Sequence, residues 1–469
     1  MRNTKYEIRN TKYDVIIVGA GPAGIFTALE LSKQAGLNIL MLEKGPDIEK
    51  RRCPARRPGG HCTRCNPCFL LCGWGGAGAF SDGKLTLSPE VGGHLADLLG
   101  NDETSALIKE VDETFVKFGA TGPIHGANND DIERLEKRAA LAGLRLISDP
   151  IRHLGTERSG EILTAMRDEL AGRGVEIRTR TKVAKVLVEN WQAAGVETAK
   201  GEVIEGKYVV VAPGREGTPW LQEVAKQLNL SLSRNPVDLG VRVELPAEVL
   251  APLTDLVYEP KLHYYSRAFD DFVRSFCVCP YGEVVTEFAG DVMTVNGHSY
   301  ANRRTENTNF AILVSKTFTE PFKEPIAYGK YIASLANLLS GGVIVQRLGD
   351  MEQGRRSTPE RLSRSLVTPT LKDATPGDLN LVLPYRYVVN ILEMLKALDE
   401  LAPGVYSRHT LLYGVEVKFY SSRLELSKSL ETEVENLFAA GDGAGVTRGL
   451  VQASASGLVV AREISQRMG

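Results

Sequence analysis

The chain lacks a long apolar run and lacks an excess of charge of either sign. Its longest hydrophobic stretches are broken by glycines or charged residues well short of the about 20 residues that span a bilayer. With 58 acidic and 56 basic residues, the net charge of −2 gives no general attraction to nucleic acid or to an anionic membrane. The polar N-terminus has no apolar core of the kind found in secretory signals. These absences predict a cytoplasmic protein without nucleic-acid or membrane partners.

The length and composition are those of an ordinary globular protein. The chain has 469 residues, of which 43% are hydrophobic and 24% charged, which is enough for two or three sub-domains. A short repeat opens it, because RNTKYEI at 2–8 is followed by RNTKYDV at 9–15. Residues 1–12 are therefore predicted to be an extension outside the folded domains.

A dinucleotide-binding fingerprint follows this extension. The apolar run Asp14–Val18 predicts a buried strand, and Gly19, Gly21 and Gly24 then form G-x-G-x-x-G at the start of a helical pattern. Glycine at these positions permits a tight turn, lets a pyrophosphate approach the backbone and lets the helix pack close to the strand. A second predicted strand ends at Glu43, whose carboxylate can accept hydrogen bonds from ribose hydroxyls and would repel a 2′-phosphate. The pattern favours FAD or NAD over NADP.

The C-terminal segment separates FAD from NAD through a resemblance. Residues 434–457 read VENLFAAGDGAGVTRGLVQASASG, which resembles the C-terminal FAD motif of the glutathione-reductase-like flavoproteins. The resemblance implies that Asp442 binds the ribityl chain of FAD. It also implies that the amides of Gly449 and Leu450, at a helix N-terminus, lie at the pyrimidine end of the flavin, where the helix dipole favours negative charge. The stretch KYVVVAPGR at 207–215 resembles the glycine turn that returns the chain to the FAD domain in such proteins.

The glycine-rich stretch 73–85 contains GGAGAFSDGKL, at 75–85, which carries a closer resemblance. It is similar to the hallmark loop of a largely uncharacterised family of FAD-dependent dehydrogenases, and the likeness runs from about Tyr13 to the C-terminus. More distantly, the layout resembles geranylgeranyl reductases and aromatic hydroxylases. These resemblances imply an α/β fold with a Rossmann-like FAD-binding domain of the glutathione-reductase/aromatic-hydroxylase type and a mixed-sheet α+β substrate domain. The residues expected to bind FAD are Gly19, Gly21, Pro22, Ala23, Gly24, Glu43, Lys44, Gly75, Gly76, Ser81, Val183, Ala212, Gly214, Gly441, Asp442, Gly449 and Leu450.

These motifs set the expected domain boundaries. The FAD-binding domain is predicted to be discontinuous, with segments 13–100, 148–237 and 412–469. Helical periodicity in SALIKEVDETFVKF and IERLEKRAALAGL predicts a helical insertion at 101–147 that caps this domain. Alternating strand patterns and amphipathic helices predict the substrate domain at 238–411.

Five of the seven cysteines fall in one predicted loop, 53–72. Their spacing, C-x₂-C-x₂-C-x₃-C, is that of bacterial ferredoxins, and it predicts a [4Fe–4S] cluster or a zinc site. The residues expected to hold the metal are Cys53, Cys62, Cys65, Cys68 and Cys72. Two alternatives stay open, namely a dithiol linked to the flavin and free thiols whose pKa values are lowered by the neighbouring basic run. That basic run, Lys50–Arg57, is itself typical of a solvated face.

Three side chains are candidates for catalysis. Lys84 lies near the end of the glycine-rich stretch and can bond the edge of the flavin or a substrate. Cys279 lies in SFCVCP at 275–280, where strand alternation puts it on the same face as Cys277. It is a candidate proton donor or substrate contact, with a small buried hydrophobic residue as the alternative. His298, in VNGHSYANR at 295–303, can protonate a substrate near neutral pH, with an ordinary surface histidine as the alternative.

Together these features predict an FAD-dependent oxidoreductase that transfers hydride or electrons between its flavin and a small organic molecule. The family layout implies that a C=C or C–N bond reacts. No second G-x-G-x-x-G stands in a suitable context, so electrons would come from the substrate, from docked NAD(P)H or from a ferredoxin-like protein. The alternative function is an electron-transfer protein in which an iron–sulfur cluster relays electrons between the flavin and a protein partner.

Overall fold

A computed structural model describes residues 13–54, 63, 65–80, 83–126, 130–154, 156–233, 236–257, 259–289, 292–299, 303–316, 318, 325–418 and 423–469. The predicted extension 1–12 and the predicted site residues Cys62 and Ser81 lie outside these ranges. The described residues form two compact units. Unit 1 lies within 13–123, 152–233 and 423–469, and unit 2 lies within 124–151 and 236–418.

Both units contain strands and α-helices. The strands up to residue 233 are β1 (Tyr13–Val18), β2 (Ile39–Leu42), β3 (Lys84–Thr86), β4 (Ile124–His125), β5 (Arg145–Ile147), β6 (Ile151–His153), β7 (Glu176–Arg178), β8 (Val183–Glu189), β9 (Gln192–Thr198), β10 (Val203–Val211) and β11 (Leu232–Ser233). The later strands are β12 (Val237–Pro246), β13 (Lys261–Tyr265), β14 (Phe272–Cys279), β15 (Glu283–Ala289), β16 (Val292–His298), β17 (Asn307–Lys316), β18 (Ile344–Arg347), β19 (Thr375–Pro376), β20 (Leu411–Lys418), β21 (Arg423–Leu424) and β22 (Leu437–Ala439). The α-helices are α1 (Pro22–Leu31), α2 (Leu95–Leu99), α3 (Asn101–Lys117), α4 (Asp130–Leu141), α5 (Thr156–Gly172), α6 (Thr218–Gln227), α7 (Ala247–Thr254), α8 (Pro325–Ser340), α9 (Leu348–Glu352), α10 (Pro359–Leu362), α11 (Tyr385–Leu401) and α12 (Leu450–Met468). None of these described helices combines the length and the hydropathy that crossing a bilayer requires.

Unit 1 is built on a largely parallel sheet. Strands β7, β2, β1, β10 and β22 pair in parallel in that order, and β9 and β8 continue from the start of β10 as antiparallel strands. The central strand β1 buries Val15, Ile16 and Ile17 completely, as expected of a parallel strand covered on both faces. Helix α1 packs on α12 so closely that a Cβ on Gly457 would lie 2.2 Å from the carbonyl oxygen of Ala23. The unit therefore has the layered architecture that parallel strands and crossover helices produce.

The carboxyl ends of the parallel strands meet at one edge of this sheet. The chain leaves β1 at Gly19, β2 at Glu43, β10 at Ala212 and β22 at Ala440. Ligands of open α/β sheets bind in the crevice outside such ends. Most of the residues predicted to bind FAD are thereby brought to one place.

Unit 2 contains an eight-stranded, mainly antiparallel sheet among its described residues. Its strand order is β19-β18-β20-β12-β17-β14-β13-β5, and β15 and β16 form a separate hairpin. One face of β12 buries Val241 and Val243 in the apolar core of the unit. The opposite face carries Asp238, Arg242 and Glu244, all of which are buried as well. Because side chains alternate across a strand, this second face is polar yet shielded from water.

The structure divides the segment that was predicted as a single helical insertion. Helix α3 adds Val111 and Phe115 to the core of unit 1, where the rings of Phe115 and Phe26 lie 5.3 Å apart. Helix α4 adds Ile132 and Leu135 to the core of unit 2. The boundary expected at residue 412 differs too, because β20 pairs with β12 and β18 inside the sheet of unit 2.

Candidate functional site

The first turn of unit 1 joins β1 to α1 and is shaped by its glycines. Gly19 has a φ of 110°, and a Cβ on it would lie 2.2 Å from the carbonyl oxygen of Ala212. A Cβ on Gly24 would lie 2.0 Å from the carbonyl oxygen of Gly19, so the turn cannot accept a side chain there. Gly21 differs, because the nearest atom to a Cβ on it would be the Cα of Gly76 at 3.9 Å. The turn thus leaves space beside Gly21 at the N-terminus of α1, where backbone amides and the helix dipole favour a phosphate.

Glu43 ends β2 and collects backbone amides on its carboxylate. The residue is buried, and its Oε1 accepts hydrogen bonds from the amides of Gly45 at 2.7 Å and Gly73 at 2.9 Å. Its Oε2 accepts from the amide of Ala20 at 3.0 Å. A carboxylate has about four lone-pair sites, so these bonds leave room for one more donor such as a ribose hydroxyl. Glu43 therefore fixes the loops around it and still offers an acceptor at the edge of the sheet.

The glycine-rich stretch packs directly against the first turn. The amide of Gly75 donates to the carbonyl oxygen of Ala20 at 2.7 Å. Gly76 has a φ of 58°, and a Cβ on it would lie 3.0 Å from the Cα of Gly21. Gly75 and Gly76, both predicted to bind FAD, are thus placed beside the space at Gly21.

Arg51 organises this stretch and does not lie on the solvated face that the basic run predicts. The residue is 4% exposed, and its guanidinium donates to the carbonyl oxygens of Phe69 at 3.0 Å, Leu70 at 2.9 Å and Trp74 at 2.6 Å. Burial lowers the pKa of Arg51 to about 10, and the charge of Glu43 opposes that effect. A guanidinium has several donors in a rigid fork, which suits three carbonyls at once. The prediction was wrong for Arg51 because sequence pattern alone does not show that loop carbonyls surround it.

The cysteine run does not form a metal site among the residues that the structure describes. No group of three or more histidine, cysteine, aspartate or glutamate side chains suited to a metal ion occurs in that part of the chain. Cys53, Cys65, Cys68 and Cys72 all belong to it as free thiols, whereas Cys62 does not. Burial raises the pKa of the Cys72 thiol to about 11.

Asp442, the predicted ribityl contact, follows β22 at the same edge of the sheet. Gly441 before it has a φ of 76°, and a Cβ there would lie 3.0 Å from the Cβ of Ala23 on α1. The Oδ1 atom of Asp442 accepts from the hydroxyl of Thr447 at 2.8 Å, and its Oδ2 atom accepts from Nε of Arg215 at 2.9 Å. These two bonds orient the carboxylate and leave further lone pairs for ligand hydroxyls.

The turn after β10 completes this edge of unit 1. Ala212 supplies the carbonyl that touches Gly19, and Gly214 has a φ of 65°. A Cβ on Gly443 would lie 2.7 Å from the carbonyl oxygen of Gly214, so the two FAD-motif turns are in close contact. Val183 is buried at the start of β8, in the antiparallel part of the sheet.

The two predicted lysines have different surroundings. Lys44 forms an ion pair with Glu216, so its charge is shared with the turn after β10. Lys84 is half-buried at the start of β3, and Ser81 lies outside the described residues. Lys44 therefore forms an ion pair within the protein and is also a candidate for binding FAD.

The N-terminus of α12 is bound to a short segment that includes Gly92 and His94. The amide of Arg448 donates to the carbonyl oxygen of Gly92 at 2.6 Å, and the amide of His94 donates to that of Val446 at 2.7 Å. Gly449 caps α12, and a Cβ on it would lie 3.8 Å from the Cα of Gly92. The predicted pyrimidine contact at Gly449 is thus held in place by residues 92–94.

His94 is a functional candidate that the motif search missed. Its Nδ1 lies 3.0 Å from Oδ2 of Asp97, and its Nε2 is buried with no hydrogen-bond partner among the described residues. Burial and then the charge of Arg448 lower the pKa of His94. A neutral ring that donates from Nδ1 to Asp97 offers the Nε2 lone pair as an acceptor or base. The Gly-Gly-His sequence at 92–94 was the available signal.

Unit 2 has its own group of buried charged side chains, on the polar face of its large sheet. Arg242 is fully buried, with Nη1 3.4 Å from Oε1 of the fully buried Glu416. Its Nε donates to Oδ1 of Asn309 at 2.8 Å, and its Nη2 donates to Sγ of Cys279 at 3.2 Å. Lys418 places its Nζ 3.1 Å from Glu416. Burial is the largest effect on Arg242 and Lys418 and would lower both pKa values, but the negative groups around them, Glu416 first, together outweigh it and both pKa values are raised.

Cys279 and the backbone of His298 both lie next to Gly282, in the turn between β14 and β15. A Cβ on Gly282 would lie 2.5 Å from the carbonyl oxygen of His298 and 2.9 Å from the Cβ of Cys279. Cys279 is therefore buried as the alternative interpretation required, but it contacts a charged guanidinium and not an apolar core. Lys84, the third candidate, belongs to unit 1.

Three protein-family models match the chain. Residues 14–282 match the model described as FAD dependent oxidoreductase, which covers more than half of the 469 residues. Residues 236–419 match FAD-dependent protein, C-terminal domain-like, and residues 372–469 match Glucose inhibited division protein A. The longest match includes the first turn, Glu43, the glycine-rich stretch and Ala212.

Individual proteins are similar at low identity. An uncharacterised protein of Clostridium beijerinckii is 28% identical over 479 residues, covering 96% of this chain and 80% of that protein. Sarcosine oxidase subunit beta of Rhizobium meliloti is 27% identical over 304 residues, covering 62% and 66%. Similar solved structures include L-proline dehydrogenase from P. horikoshii (12% identity, 98% and 95% coverage, TM-score 0.40). Glycine oxidase from Geobacillus kaustophilus is another (15% identity, 97% and 95% coverage, TM-score 0.39).

Proposed function

The chain belongs to the FAD dependent oxidoreductase family, and from that premise we propose that it transfers hydride between FAD and a C–N or C=C bond of a small organic molecule. The protein is an FAD-dependent oxidoreductase with a mixed α/β FAD-binding fold. One observation carries the assignment of the cofactor to unit 1. Space beside Gly21, the acceptor on Glu43 and the acceptor on Asp442 lie at one edge of a parallel sheet.

The residues at this edge fit the parts of FAD. The amides of the first turn suit the pyrophosphate, because the N-terminus of α1 carries positive partial charge. Glu43 and Asp442 suit the hydroxyls of the ribose and the ribityl chain, since carboxylates accept hydrogen bonds. The N-terminus of α12, at Gly449, suits a group that gains negative charge on reduction.

FAD supplies the two-electron chemistry when it is bound. The chain holds the cofactor, orients the substrate and moves protons. His94 offers a neutral Nε2 in unit 1, where it can accept a hydrogen bond or a proton. Cys279 and His298 remain our candidates for proton transfer at the substrate, and their variants should slow reoxidation of reduced flavin by substrate.

The substrate class is proposed from chemistry and from one relative. The Rhizobium relative is named for the oxidation of sarcosine, a secondary amine, which supports a C–N bond as the first to test. Secondary amines and amino acids should therefore be compared with alkenes conjugated to a carbonyl. Anaerobic bleaching of the flavin absorbance by an amine would support C–N oxidation, and reoxidation of the reduced flavin by an alkene would support C=C reduction. A flavin that responds to neither class would overturn the proposed chemistry.

Gly21 permits a sharp test of the cofactor site. Its φ of −83° and ψ of −176° suit any residue, and a side chain there would meet little protein. Gly21→Val should therefore fold normally yet fail to hold FAD, because the new methyls fill the space proposed for the pyrophosphate. Gly160→Val is the control, since its Cβ would meet nothing within 4 Å. Wild-type and Gly160→Val protein should be yellow with one FAD per chain, and a Gly21→Val protein that keeps its FAD would contradict the site.

The same preparation tests electron relay through an iron–sulfur cluster. An anaerobic sample with about four irons per chain and charge-transfer absorbance would favour that alternative. Iron and zinc contents well below one atom per chain would exclude the electron-relay function and retain the proposed oxidoreductase that acts on a small organic substrate.

A further inference from the structure

Two thiols of unit 2 are held in contact. Cys277 and Cys279 stand two residues apart on β14, and their Sγ atoms lie 3.8 Å from each other. Same-face neighbours in a regular strand are about 7 Å apart along the strand, since each residue rises about 3.3 Å. The two sulfurs are therefore closer than regular strand geometry would place them.

The backbone at Cys277 accounts for this approach. Cys277 has a φ of 47°, a left-handed conformation that is strained for a residue with a side chain. The register of β14 against β17 also shifts between Phe276 and Cys279, which marks a bulge. Bulges re-aim side chains, and this one turns the two thiols toward each other.

The charges around the pair favour a thiolate. Arg242 donates from Nη2 to the Sγ atom of Cys279 at 3.2 Å and to the carbonyl oxygen of Cys277 at 2.6 Å. Arg242 and Lys418 both pair with one fully buried carboxylate, Glu416. The other ion-pair partner of Lys418 is Glu287, whose Oε2 lies 3.4 Å from Nζ of Lys418. The side chain of Glu287 is 46% exposed to water. Arg242 and Lys418 are two cations shielded from water, and they share one shielded anion, Glu416. Because an unpaired charge is costly away from water, a thiolate of the cysteine pair would stabilise this group by supplying a second negative charge.

We propose that Cys277 and Cys279 form an oxidation site that takes hydrogen peroxide or a small organic hydroperoxide and cycles between dithiol and disulfide. The proposal goes beyond the flavin chemistry and does not depend on it. Cys277 meets the oxidant because it is half-buried, whereas Cys279 is 1% exposed. Cys279 then closes the disulfide, because its sulfur already lies in contact with that of Cys277.

Atoms and electrons balance in two steps. The Cys277 thiolate attacks one peroxide oxygen, the O–O bond breaks, and the departing hydroxide of hydrogen peroxide takes a proton to become water, whereas the alkoxide that departs from an organic hydroperoxide becomes an alcohol. The Cys279 sulfur then attacks Sγ of the Cys277 sulfenic acid, the S–S bond forms, the S–O bond breaks, and a second water leaves. Two thiols lose two electrons and two protons in all, and the oxidant is reduced to two waters, or to one water and one alcohol when it is an organic hydroperoxide. A dithiol reductant of the thioredoxin class restores the pair by exchange.

The test is peptide mapping of the full-length holoprotein after brief exposure to hydrogen peroxide. Free thiols are alkylated, and the peptide that carries both cysteines should lose two hydrogens and resist alkylation until a dithiol reductant is added. The pair should be oxidised at least about tenfold faster than free cysteine, because nearby cations favour a thiolate within it. A peptide that stays fully alkylated under these conditions would overturn the proposal.

Variants assign the order of events. Cys279→Ser should stop at a Cys277 sulfenic acid that dimedone traps, and Cys277→Ser should leave Cys279 unoxidised because it is buried. Cys53→Ser is the control, since Cys53 belongs to unit 1 and its loss should leave disulfide formation at 277–279 unchanged. Dimedone labelling of Cys279 in place of Cys277 would refute the assigned order. A disulfide from Cys277 or Cys279 to another cysteine in the wild-type map would refute the site.

Discussion

The amide of Gly73 donates to Oε1 of Glu43 at 2.9 Å, so the carboxylate that ends β2 also anchors the glycine-rich stretch. Arg51 reaches the same stretch from the other side through the carbonyl oxygen of Trp74. Gly75 then joins it to Ala20 in the first turn. The loops of the proposed FAD site are consequently connected by hydrogen bonds, and a substitution in any of them should change the affinity for FAD.

Glu43→Gln should weaken FAD binding by about tenfold to a hundredfold. Hydrogen bonds to a charged acceptor contribute about 1.5–3 kcal/mol, and an amide would also turn its own N–H groups toward the backbone donors now bound by the carboxylate. The dissociation constant is measured by titrating apoprotein with FAD and following flavin fluorescence. Glu161→Gln is the control, because Glu161 is exposed on α5. Equal affinities for the two variants would remove Glu43 from the cofactor site.

Gly24→Ala should lower the free energy of unfolding by about 2 kcal/mol or more. The added methyl would lie 2.0 Å from the carbonyl oxygen of Gly19, so α1 must move away from β1. Gly160→Ala, also in a helix but with nothing within 4 Å of the new Cβ, should instead gain up to about 1 kcal/mol. Urea denaturation of both apoproteins measures whether each substitution lowers or raises the free energy of unfolding. Equal stability of the two variants would show that the tight packing at Gly24 has no energetic weight.

The sequence was informative where backbone sterics dictate residue type. Glycine is the only residue type that the first turn accepts at Gly19 and Gly24, so their spacing, together with the strand before them, the helix after them and the acidic end of the second strand, indicates a nucleotide site. Arg51 could not be placed in this way, since a buried arginine and a solvated one look the same in a basic run. The sequence also placed β20 in the FAD-binding domain, whereas β20 pairs with β12 of unit 2. Such pairing joins residues far apart along the chain, which local sequence pattern does not show.

Arg51→Lys should destabilise the loop at 69–74 and weaken FAD binding. Lysine keeps the charge but has a single nitrogen, which cannot reach the carbonyl oxygens of Phe69, Leu70 and Trp74 together. At least one buried carbonyl would lose its donor, at a cost of about 1–3 kcal/mol. Limited proteolysis should then cut within this loop sooner than in the wild type. Arg52→Lys is the matched control, because the neighbouring Arg52 is exposed and should tolerate the change. Similar cleavage rates in both variants would contradict the role of Arg51.

Asp350 in unit 2 should make stability depend on pH in the acid range. Burial alone would raise the pKa of Asp350, but bonds from Arg347, Ser357 and Arg355 lower it from 3.8 to about 2. The unfolded chain therefore takes up a proton before the folded chain does as the pH falls. The resulting stabilisation, about 2 kcal/mol, is complete above the ordinary value of 3.8 and is lost as the pH falls from there to about 2.

Asp350→Asn removes this titration and leaves the buried guanidinium of Arg347 without its carboxylate. The variant should lose about 3 kcal/mol of stability at neutral pH, because breaking a buried ion pair leaves a charge uncompensated. The difference in stability between Asp350→Asn and the wild type should become smaller as the pH falls toward 2, because protonation of Asp350 then breaks the same ion pairs in the wild type. Asp373→Asn, at an exposed position, should follow the wild-type curve throughout. Urea midpoints measured from pH 7 to pH 2 test this, and a gap between Asp350→Asn and wild type that stays constant would mean that Asp350 does not titrate in this range.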